Sequence, residues 1–553
     1  MVLQLFTRRT LPFFAALGLV LLSVLLSSPR TVSAAAPAPL PSPEGPDRFT
    51  SMVVDITLHE WWLAAWRDNS VACSFFVDHE GLPDYTDIFS ACGQDLYNEW
   101  VAYSTPCGAE DINTCPGYYF VEVSSKPSTR DVTVKLPPPQ VWVSLEDCEL
   151  DSDGWCITQP SLVLTGEEPL PNESITAISG TVGNDSFTCS ENPCKFKLDA
   201  TKPEGIRLKF WVYSTHGDSS QVFDALVRVL GDQNDQRLTP RWYVNVISQQ
   251  WQGPPIASCA AAWEAFPPPG DLPQWLTTPQ SSSDLYSNIP YAYLAANLIS
   301  EGAVDVTSCG DDGLLPDGSA SACGMDSAAG AVSEWQNRFD NLIFSVAQDS
   351  SVPAQLLKNL FSRESQFWPG VIHNGQDVGL GQMTEGGADT TLLWNPSFYQ
   401  QFCPLVLDQN ACEANGFANL TPERQNMLRG ALVSSVDARC ADCPLGLDLS
   451  RANFSVDVFA HTLLANCEQA GKIVADVTGK EPGLTVDYET MWRFTLVNYN
   501  AGSGCLAIAI NQAYNPAAET PLDWTGAAGI LDQACPGSVG YVDDISRGTE
   551  SSP

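Results

Sequence analysis

The chain has 553 residues, of which 65 are Asp or Glu and 27 are Lys or Arg, so its formal net charge is −38. This acidic balance excludes a nucleic-acid binder that depends on phosphate contacts, because affinity for a polyanion requires clustered Lys and Arg. Charged residues make up 17% of the chain and hydrophobic residues 44%, which provides enough apolar surface for buried cores. We therefore expect a folded protein, and the length predicts several domains.

The N-terminus has the order of a secretory signal. Arg8 and Arg9 precede an apolar run over 11–26, and small residues follow at 32–34. We therefore predict a signal peptide over 1–34; an uncleaved anchor is the alternative, although the run is shorter than a typical membrane span. Cleavage removes three Arg and no acid, so the charge changes from −38 to −41. The mature chain would have no membrane span and would be secreted or held in the cell envelope.

All 18 cysteines follow this segment. An even number of cysteines in an exported chain predicts a disulfide framework. Five pairs are close enough in sequence to close short loops: Cys107 and Cys115, Cys148 and Cys156, Cys189 and Cys194, Cys309 and Cys323, and Cys403 and Cys412. Cys440 and Cys443 have the spacing of a redox or zinc motif, but the sequence contains no second motif of this kind. We therefore predict no metal and no cofactor.

The residues up to position 330 suggest β-rich modules. Residues 35–49 are rich in Ala and Pro and predict a linker, whereas 50–136 predict a disulfide-bearing module of unknown fold. Over 137–250, short apolar segments recur at roughly ten-residue intervals with turn residues between them. This pattern is similar to an immunoglobulin-like β-sandwich. Residues 251–330 are rich in Pro, Ser, Gly and Asp and predict a loop-rich connector.

From about residue 331, the apolar spacing changes to the period of 3.6 residues that is typical of helices. We therefore predict an all-α domain over 331–540, followed by a polar tail over 541–553. Polar residues ahead of several apolar stripes are expected to cap the helices. These expected caps are Ser351, Thr421, Ser455, and either Asp487 or Thr485.

One acidic residue lies on the apolar face of a predicted helix. The segment 351–367 places Leu357, Leu360 and Glu364 at helical spacing. A carboxyl group in such a position is desolvated, which raises its pKa. A carboxyl that is protonated near neutral pH can act as a general acid. A structural role, in which Glu364 pairs with Arg363 or caps a backbone group, is the alternative.

Three short motifs follow one another on these elements. They are Glu364-Ser365-Gln366-Phe367, Gly379-Leu380-Gly381-Gln382-Met383 and Asn498-Tyr499-Asn500-Ala501-Gly502. Together they resemble the lytic transglycosylases of the soluble type, in the lysozyme-like superfamily that includes goose-type lysozymes (glycoside hydrolase family 23). The resemblance covers about residues 336–540 and implies an all-α, lysozyme-like catalytic domain.

The resemblance also implies a reaction and a set of site residues. Glu364 would be the single acid and base that cleaves the β-1,4 bond between N-acetylmuramic acid and N-acetylglucosamine and leaves 1,6-anhydromuramyl ends. Tyr499 would direct its hydroxyl toward Glu364. The residues implied in substrate binding are Ser365, Gln382, Met383, Tyr499 and Asn500. The partner would be the glycan strands of peptidoglycan.

The sequence also departs from the family pattern. Gly381 stands where Met is usual, and Asn498 stands where Ala is usual. If water reaches the sugar C1 atom, the reaction is hydrolysis as in goose-type lysozyme, with Asp377 or Asp389 as the second carboxylate. A non-catalytic cell-wall-binding or adhesion protein is the alternative from a different functional class.

Overall fold

The computed structural model describes residues 46–103, 114, 116–152, 154–231, 240–253, 256–270, 272–287, 291–370, 377–414, 416–518 and 521–546. The predicted signal peptide, most of the predicted linker and the pair Cys107 and Cys115 lie outside these residues. Within them, strands with disulfides come first along the chain and helices follow. The predicted order of a β-rich region and an α-helical region is therefore confirmed.

The first module is a three-stranded antiparallel sheet with two short helices. Its strands are β1 (Phe49–Ala65), β2 (Val71–Val77) and β3 (Tyr118–Lys135), in the order β2-β1-β3, and its helices are α1 (Tyr85–Cys92) and α2 (Gln94–Ala102). Alternation along β1 turns Trp61 and Leu63 inward, where they pack with Ile88. A disulfide between Cys73 and Cys92 joins β2 to α1. The small core therefore lies between the sheet and its helices.

Residues 140–247 form two antiparallel sheets that share one core. One sheet has the strand order β4-β5-β8 and the other has β11-β10-β9-β6-β7. The strands are β4 (Gln140–Glu146), β5 (Ser161–Glu167), β6 (Ile175–Val182), β7 (Asp185–Cys189), β8 (Cys194–Lys197), β9 (Ile206–Ser214), β10 (Phe223–Gly231) and β11 (Trp242–Ile247). Leu164, Ile178 and Phe210 are completely buried in this core. The short strands predicted in this part of the sequence are therefore present, and they form a β-sandwich.

A buried ion cluster joins the first module to the sandwich. Arg48 donates to Asp218 Oδ2 at 2.6 Å, to the Glu168 carboxylate, and to the carbonyl oxygen of Pro137 at 2.8 Å. The three charged side chains are only 4% to 7% exposed. Burial makes each of these charges depend on its partners, because water is not available to solvate a charge that loses its pair.

The C-terminal part of the described chain is helical. Its helices are α3 (Ala260–Trp263), α4 (Ala292–Ser300), α5 (Ala322–Asn337), α6 (Asp340–Ser350), α7 (Ala354–Ser365), α8 (Glu385–Trp394), α9 (Pro396–Phe402), α10 (Gln409–Ala414), α11 (Pro422–Val436), α12 (Leu449–Thr478), α13 (Tyr488–Ala513), α14 (Trp524–Ala534) and α15 (Ser538–Ser546). The long helices α12 and α13 pack against each other. Phe459, Trp492 and Phe494 are completely buried in the shared core, as an apolar period of 3.6 requires.

This core begins upstream of the boundary that the sequence predicts. Trp263 is completely buried and donates to the carbonyl oxygen of Cys467 at 2.8 Å, and a disulfide joins Cys259 to Cys467. The expected loop-rich connector therefore supplies α3, α4 and part of α5 to the helical region. At the other end, the predicted polar tail begins too early, because Tyr541 and Ile545 are buried in α15.

Two of the expected helix caps are correct and two are wrong. Asp487 caps α13 by accepting a hydrogen bond from the Thr490 backbone N–H, and Thr421 stands at the N-cap position of α11 without a capping hydrogen bond from its side chain. Ser351 has a φ of +58° and follows the end of α6, whereas α7 begins after a proline. Ser455 lies inside α12, which begins after Asp448. The apolar stripe of α12 continues N-terminal to Ser455, so the helix extends past the position where a local cap was expected.

Eight disulfides occur within the described residues. They close four of the five predicted short loops: Cys148–Cys156, Cys189–Cys194, Cys309–Cys323 and Cys403–Cys412. Cys440 and Cys443 are also joined, so their sulfurs are not free to bind a metal. This disulfide content indicates an extracytoplasmic compartment. No helix in the described ranges is both long and apolar enough to cross a membrane.

The Arg48 cluster predicts a large loss of stability when its cation is removed. Arg48→Met should lower the free energy of unfolding by about 3–5 kcal/mol, because it leaves two carboxylates buried without a partner. Urea unfolding followed by circular dichroism measures the change. The control is Lys195→Met, since Lys195 pairs with Glu146 and Asp147 at the surface, and this change should leave the midpoint in place. Equal midpoints for the two variants would contradict the prediction.

Candidate functional site

A cleft with a volume of about 460 Å³ opens in the helical region. Its walls come from the end of α7, the turn over 377–384, the start of α8, and the facing sides of α12 and α13. The lining residues are Glu364, Asp377, Gln382, Met383, Thr384, Gly386, Gly387, Thr390, Phe459, Thr462, Asn466, Gln469, Asn498, Tyr499, Asn500, Ala501, Gly502 and Ser503. The cleft therefore brings together five of the six site residues that the sequence predicts.

Glu364 lies in the last turn of α7, as the apolar stripe predicts. The helix buries Leu360 and its neighbours in the core, and the Glu364 side chain beside them is half-buried. Burial raises the pKa of Glu364 to about 7; the hydroxyl of Tyr541 and the charge of Arg363 oppose this rise, and the charge of Asp377 adds to it. The carboxyl group is therefore about half protonated at neutral pH, which suits a group that must both give and take a proton.

Tyr541 is the direct hydrogen-bond partner of this carboxyl group. The Tyr541 hydroxyl donates to Glu364 Oε1, and its side chain is only 3% exposed. Sequence reasoning missed Tyr541, because 177 positions separate it from Glu364 and no local pattern relates the two. The usable signal is the helical spacing of Tyr541, Val542 and Ile545, which predicts a short buried helix where a polar tail was expected.

The helix that carries Tyr541 is fixed to the helix that carries Glu364. Asn359 Nδ2 donates to the carbonyl oxygen of Ile545 at 2.9 Å, and Arg363 Nε donates to Asp544 Oδ2 at 2.8 Å. The proposed structural pairing of Glu364 with Arg363 is therefore wrong, because Arg363 pairs with α15. Its ion pair helps to hold Tyr541 in place instead.

Tyr499 lies in the cleft, but its hydroxyl does not point where the family resemblance implies. It donates to the carbonyl oxygen of Gly381 at 2.6 Å, and Tyr541 makes the contact with Glu364 instead. Burial and the nearby charge of Glu364 raise the pKa of Tyr499 well above its usual value, so the phenol stays neutral. A Cβ atom on Gly381 would lie 2.5 Å from the Phe459 ring, which explains why the Met of the family pattern does not fit here.

The turn that carries Gln382 is closed by its own backbone. Val378 and Met383 exchange backbone hydrogen bonds of 2.7 and 3.1 Å, and Gln382 between them has a φ of +52°. The Gln382 Nε2 atom donates to the carbonyl oxygens of Gly379 at 2.8 Å and Gly370 at 3.2 Å. The donors of this amide are therefore committed to two backbone carbonyl groups, one in the turn and one outside it, and Gln382 shapes the wall of the cleft.

Ser365 is the predicted site residue that does not line the cleft. It is completely buried, and its hydroxyl donates to the carbonyl oxygen of Phe361 at 3.2 Å. Its side chain thus faces the core side of α7, one position beyond Glu364. Asn500, in contrast, is exposed at the cleft, just before α13 is interrupted at Gly502 with a φ of +82°. The Asn500 side chain is therefore accessible to a ligand in the cleft.

The structure separates the two possible second carboxylates. Asp377 lines the cleft and is close enough to Glu364 for its charge to affect that residue's pKa. Asp389 instead makes two hydrogen bonds of 2.8 Å to the Arg429 guanidinium and does not line the cleft. Asp377 is therefore the carboxylate that remains available for a role beside Glu364. His373, near this site in the sequence, lies outside the described residues.

In comparisons with known proteins, no family model, no curated protein and no solved structure matches this chain. The cleft combines a carboxyl group whose pKa is raised to about 7, a nearby second carboxylate, and amide and hydroxyl groups that can bind a polar ligand. Such a set supports acid–base chemistry on a hydroxyl-rich substrate.

The raised pKa of Glu364 predicts how stability depends on pH. Between pH 4.5 and about 7, Glu364 is protonated more in the folded protein than in the unfolded chain, so its contribution to stability falls as pH rises through this window. Glu364→Gln cannot ionise and should be more stable than the wild type by about 3 kcal/mol above pH 8 and equally stable near pH 4. Urea unfolding at both pH values measures this. Glu334→Gln, on an exposed face of α5, is the control and should show no such difference.

The hydrogen bond from Tyr541 predicts how the pKa of Glu364 changes when that hydroxyl is removed. Tyr541→Phe should raise the pKa of Glu364 further above 7, by about one pH unit, because the hydroxyl stabilises the ionised carboxylate. The carboxyl carbon chemical shift of Glu364, titrated by NMR and assigned with Glu364→Gln, measures the value. Tyr499→Phe is the matched control, since that hydroxyl donates to Gly381 and its loss should change the pKa much less. An unchanged pKa in Tyr541→Phe would disprove the role of the hydrogen bond.

Proposed function

We propose that this protein is an exported enzyme that cleaves the glycan strands of peptidoglycan, acting as a lytic transglycosylase with Glu364 as its single acid and base. The observation that carries the proposal is the burial of the Glu364 carboxyl group, which raises its pKa to about 7, in a cleft shared with Asn500 and Tyr499. The three motifs that support a lysozyme-like domain converge on this cleft. The sandwich of β4 to β11 would be a non-catalytic module of the immunoglobulin-like type.

The proposed reaction follows from the two protonation states of Glu364. The neutral carboxyl donates its proton to the oxygen of the β-1,4 bond, and the bond between that oxygen and the muramyl C1 atom breaks. The resulting carboxylate accepts the proton of the muramyl C6 hydroxyl, whose oxygen bonds to C1. The products are a strand with a free 4-hydroxyl and a strand with a 1,6-anhydromuramyl end, and Glu364 is again protonated. No water is consumed.

Tyr541 and Asp377 support this cycle in opposite ways. The Tyr541 hydroxyl stabilises the carboxylate that forms after the first proton transfer, whereas the charge of Asp377 favours the protonated state that the next cycle requires. Burial is the main cause of the raised pKa of Glu364, and these two smaller, opposed effects adjust it around neutral pH. Proton transfer in both directions is then close to balanced, which is the condition that favours general acid–base catalysis.

Hydrolysis is the second candidate, and the position of Asp377 is the observation that favours it. Asp377 lines the same cleft as Glu364, so it could activate a water molecule that attacks C1 in place of the C6 hydroxyl. The two reactions use the same acid and break the same bond. They differ in the new end of the strand, which is a reducing end after hydrolysis and an anhydro end after transglycosylation.

Digestion of purified peptidoglycan tests the proposal. The wild type should release muropeptides with anhydro ends, and Glu364→Gln should lower the rate about 10³-fold, since general acid–base catalysis by one group contributes about 10²–10⁴-fold. Mass spectrometry of products formed in oxygen-18 water distinguishes the reactions, because hydrolysis incorporates the label and transglycosylation does not. Glu334→Gln should retain full activity. Absence of released fragments with the wild type would disprove an enzymatic function and favour a binding role.

Asp377→Asn separates the two candidates further. It should reduce activity only a few-fold if the C6 hydroxyl is the nucleophile, and it should abolish incorporation of the oxygen-18 label if water is the nucleophile. The rate should also fall as pH rises above about 7, where Glu364 loses its proton.

A further inference from the structure

Three amide side chains form one wall of the cleft, and the proposed acid–base cycle uses none of them. Only Asn498 belongs to one of the three motifs, where it stands in place of the usual Ala. Asn466 and Gln469 come from α12, and Asn498 comes from α13. Asn466 and Asn498 are only 3% and 4% exposed, whereas Gln469 is half-buried at the cleft. An amide group has a donating and an accepting end. The direction in which each amide points therefore determines what the wall presents to a ligand.

The direction of the whole chain of amides is set by a backbone carbonyl. Asn466 contacts the carbonyl oxygen of Thr462 at 2.8 Å; this oxygen can only accept, so Asn466 must present Nδ2 to it. Asn466 Oδ1 is then left for Asn498, which must donate through Nδ2 at 2.8 Å. The same Nδ2 group donates to Gln469 Oε1 at 2.8 Å. Each amide orientation thus determines the next.

The free end of this chain is a donor. Because Gln469 Oε1 accepts from Asn498, its Nε2 group is turned the other way and has no partner among the described residues. The enclosed side-chain atoms that lack a hydrogen-bond partner in the described chain do not include this nitrogen. Since it has no partner, it must be accessible, and Gln469 lines the cleft. The wall therefore presents a fixed N–H donor at one point.

The cluster leaves one polar atom buried without a hydrogen bond, which the packing of α12 and α13 does not by itself require. Asn498 uses Nδ2 to donate to Asn466 and Gln469, while its Oδ1 atom is enclosed and has no partner in the described chain. Buried polar atoms are usually paired, and an unpaired one calls for an explanation. Fixing the direction of Gln469 provides such an explanation.

We propose that Gln469 Nε2 donates a hydrogen bond to an amide carbonyl oxygen of the bound glycan strand, and that Asn498 is the positioning residue that fixes its direction. The inference rests on the proposed function for the nature of the ligand. Amide carbonyls occur both in the acetamido groups of the sugars and in the stem peptide, so the experiment must separate these two sources.

The test measures binding, with cleavage prevented by a Glu364→Gln background. Isothermal titration with an N-acetylglucosamine tetramer should show Kd about tenfold higher for Gln469→Met, which is neutral, similar in length and unable to donate. With the de-N-acetylated tetramer, Kd should be the same for both proteins. A free stem peptide is the third ligand. Gln533→Met, at an exposed position of α14, is the control and should bind all ligands like the parent.

Asn498→Asp tests the positioning role. Aspartate cannot donate, so Gln469 should turn its Nε2 group toward the new carboxylate and present Oε1 to the cleft. Kd for the N-acetylated tetramer should then rise as much as in Gln469→Met, and the double variant should show no further rise. In the active enzyme, Gln469→Met should raise KM and leave kcat nearly unchanged, which a general loss of structure would not do.

The results of these binding measurements can be distinguished from the results that test the proposed function. Equal Kd values for Gln469→Met and its parent with every ligand would overturn the inference. An equal loss of affinity for the acetylated and the de-N-acetylated tetramers would also overturn it, and so would the absence of detectable binding of any ligand. A loss confined to the stem peptide would keep the donor role and assign the carbonyl to the peptide. Release of fragments from peptidoglycan by the wild type is measured independently and decides the enzymatic function alone.

Discussion

The burial of one carboxyl group is the constraint on which the candidate site depends. Glu364 lies on the apolar side of α7, and burial raises its pKa to about 7. A carboxyl in such a place destabilises the fold when it ionises, unless another group compensates. Tyr541 provides one hydrogen bond, and the contacts of Asn359 and Arg363 with α15 hold that tyrosine in position. The packing of α15 on α7 therefore sets the chemical character of the cleft.

The features of the structure that depend on local sequence patterns could be predicted from the sequence. Strand and helix periods located the β-rich and helical regions, and the position of Glu364 on an apolar stripe identified the candidate acid. The residues that were missed depend on contacts distant in the chain. Tyr541 meets Glu364 from 177 positions away, and the direction of the Tyr499 hydroxyl depends on the carbonyl of Gly381. No periodicity in the sequence encodes such pairings, because they arise from the packing of whole elements.

Composition was a poor guide where short elements pack on a large core. The segment expected to be a connector is rich in Pro and Ser, yet it places Trp263 completely inside the helical core and joins that core through Cys259 and Cys467. The expected polar tail has acidic residues on one side of a helix and Tyr541 and Ile545 on the other. In both cases the polar residues face solvent while a few large apolar ones determine the structure.

The separation of Glu364 and Tyr541 along the chain has a consequence for the order in which the site is assembled. A polypeptide is synthesised from its N-terminus, and its parts begin to fold as they emerge. When Glu364 emerges, the tyrosine that orients it has not yet been made, and 177 further positions must follow. A nascent chain that has reached α13 already contains all three motifs, but its acid still lacks its hydrogen-bond partner. Completion of the site is thus delayed until almost the entire helical region has been synthesised.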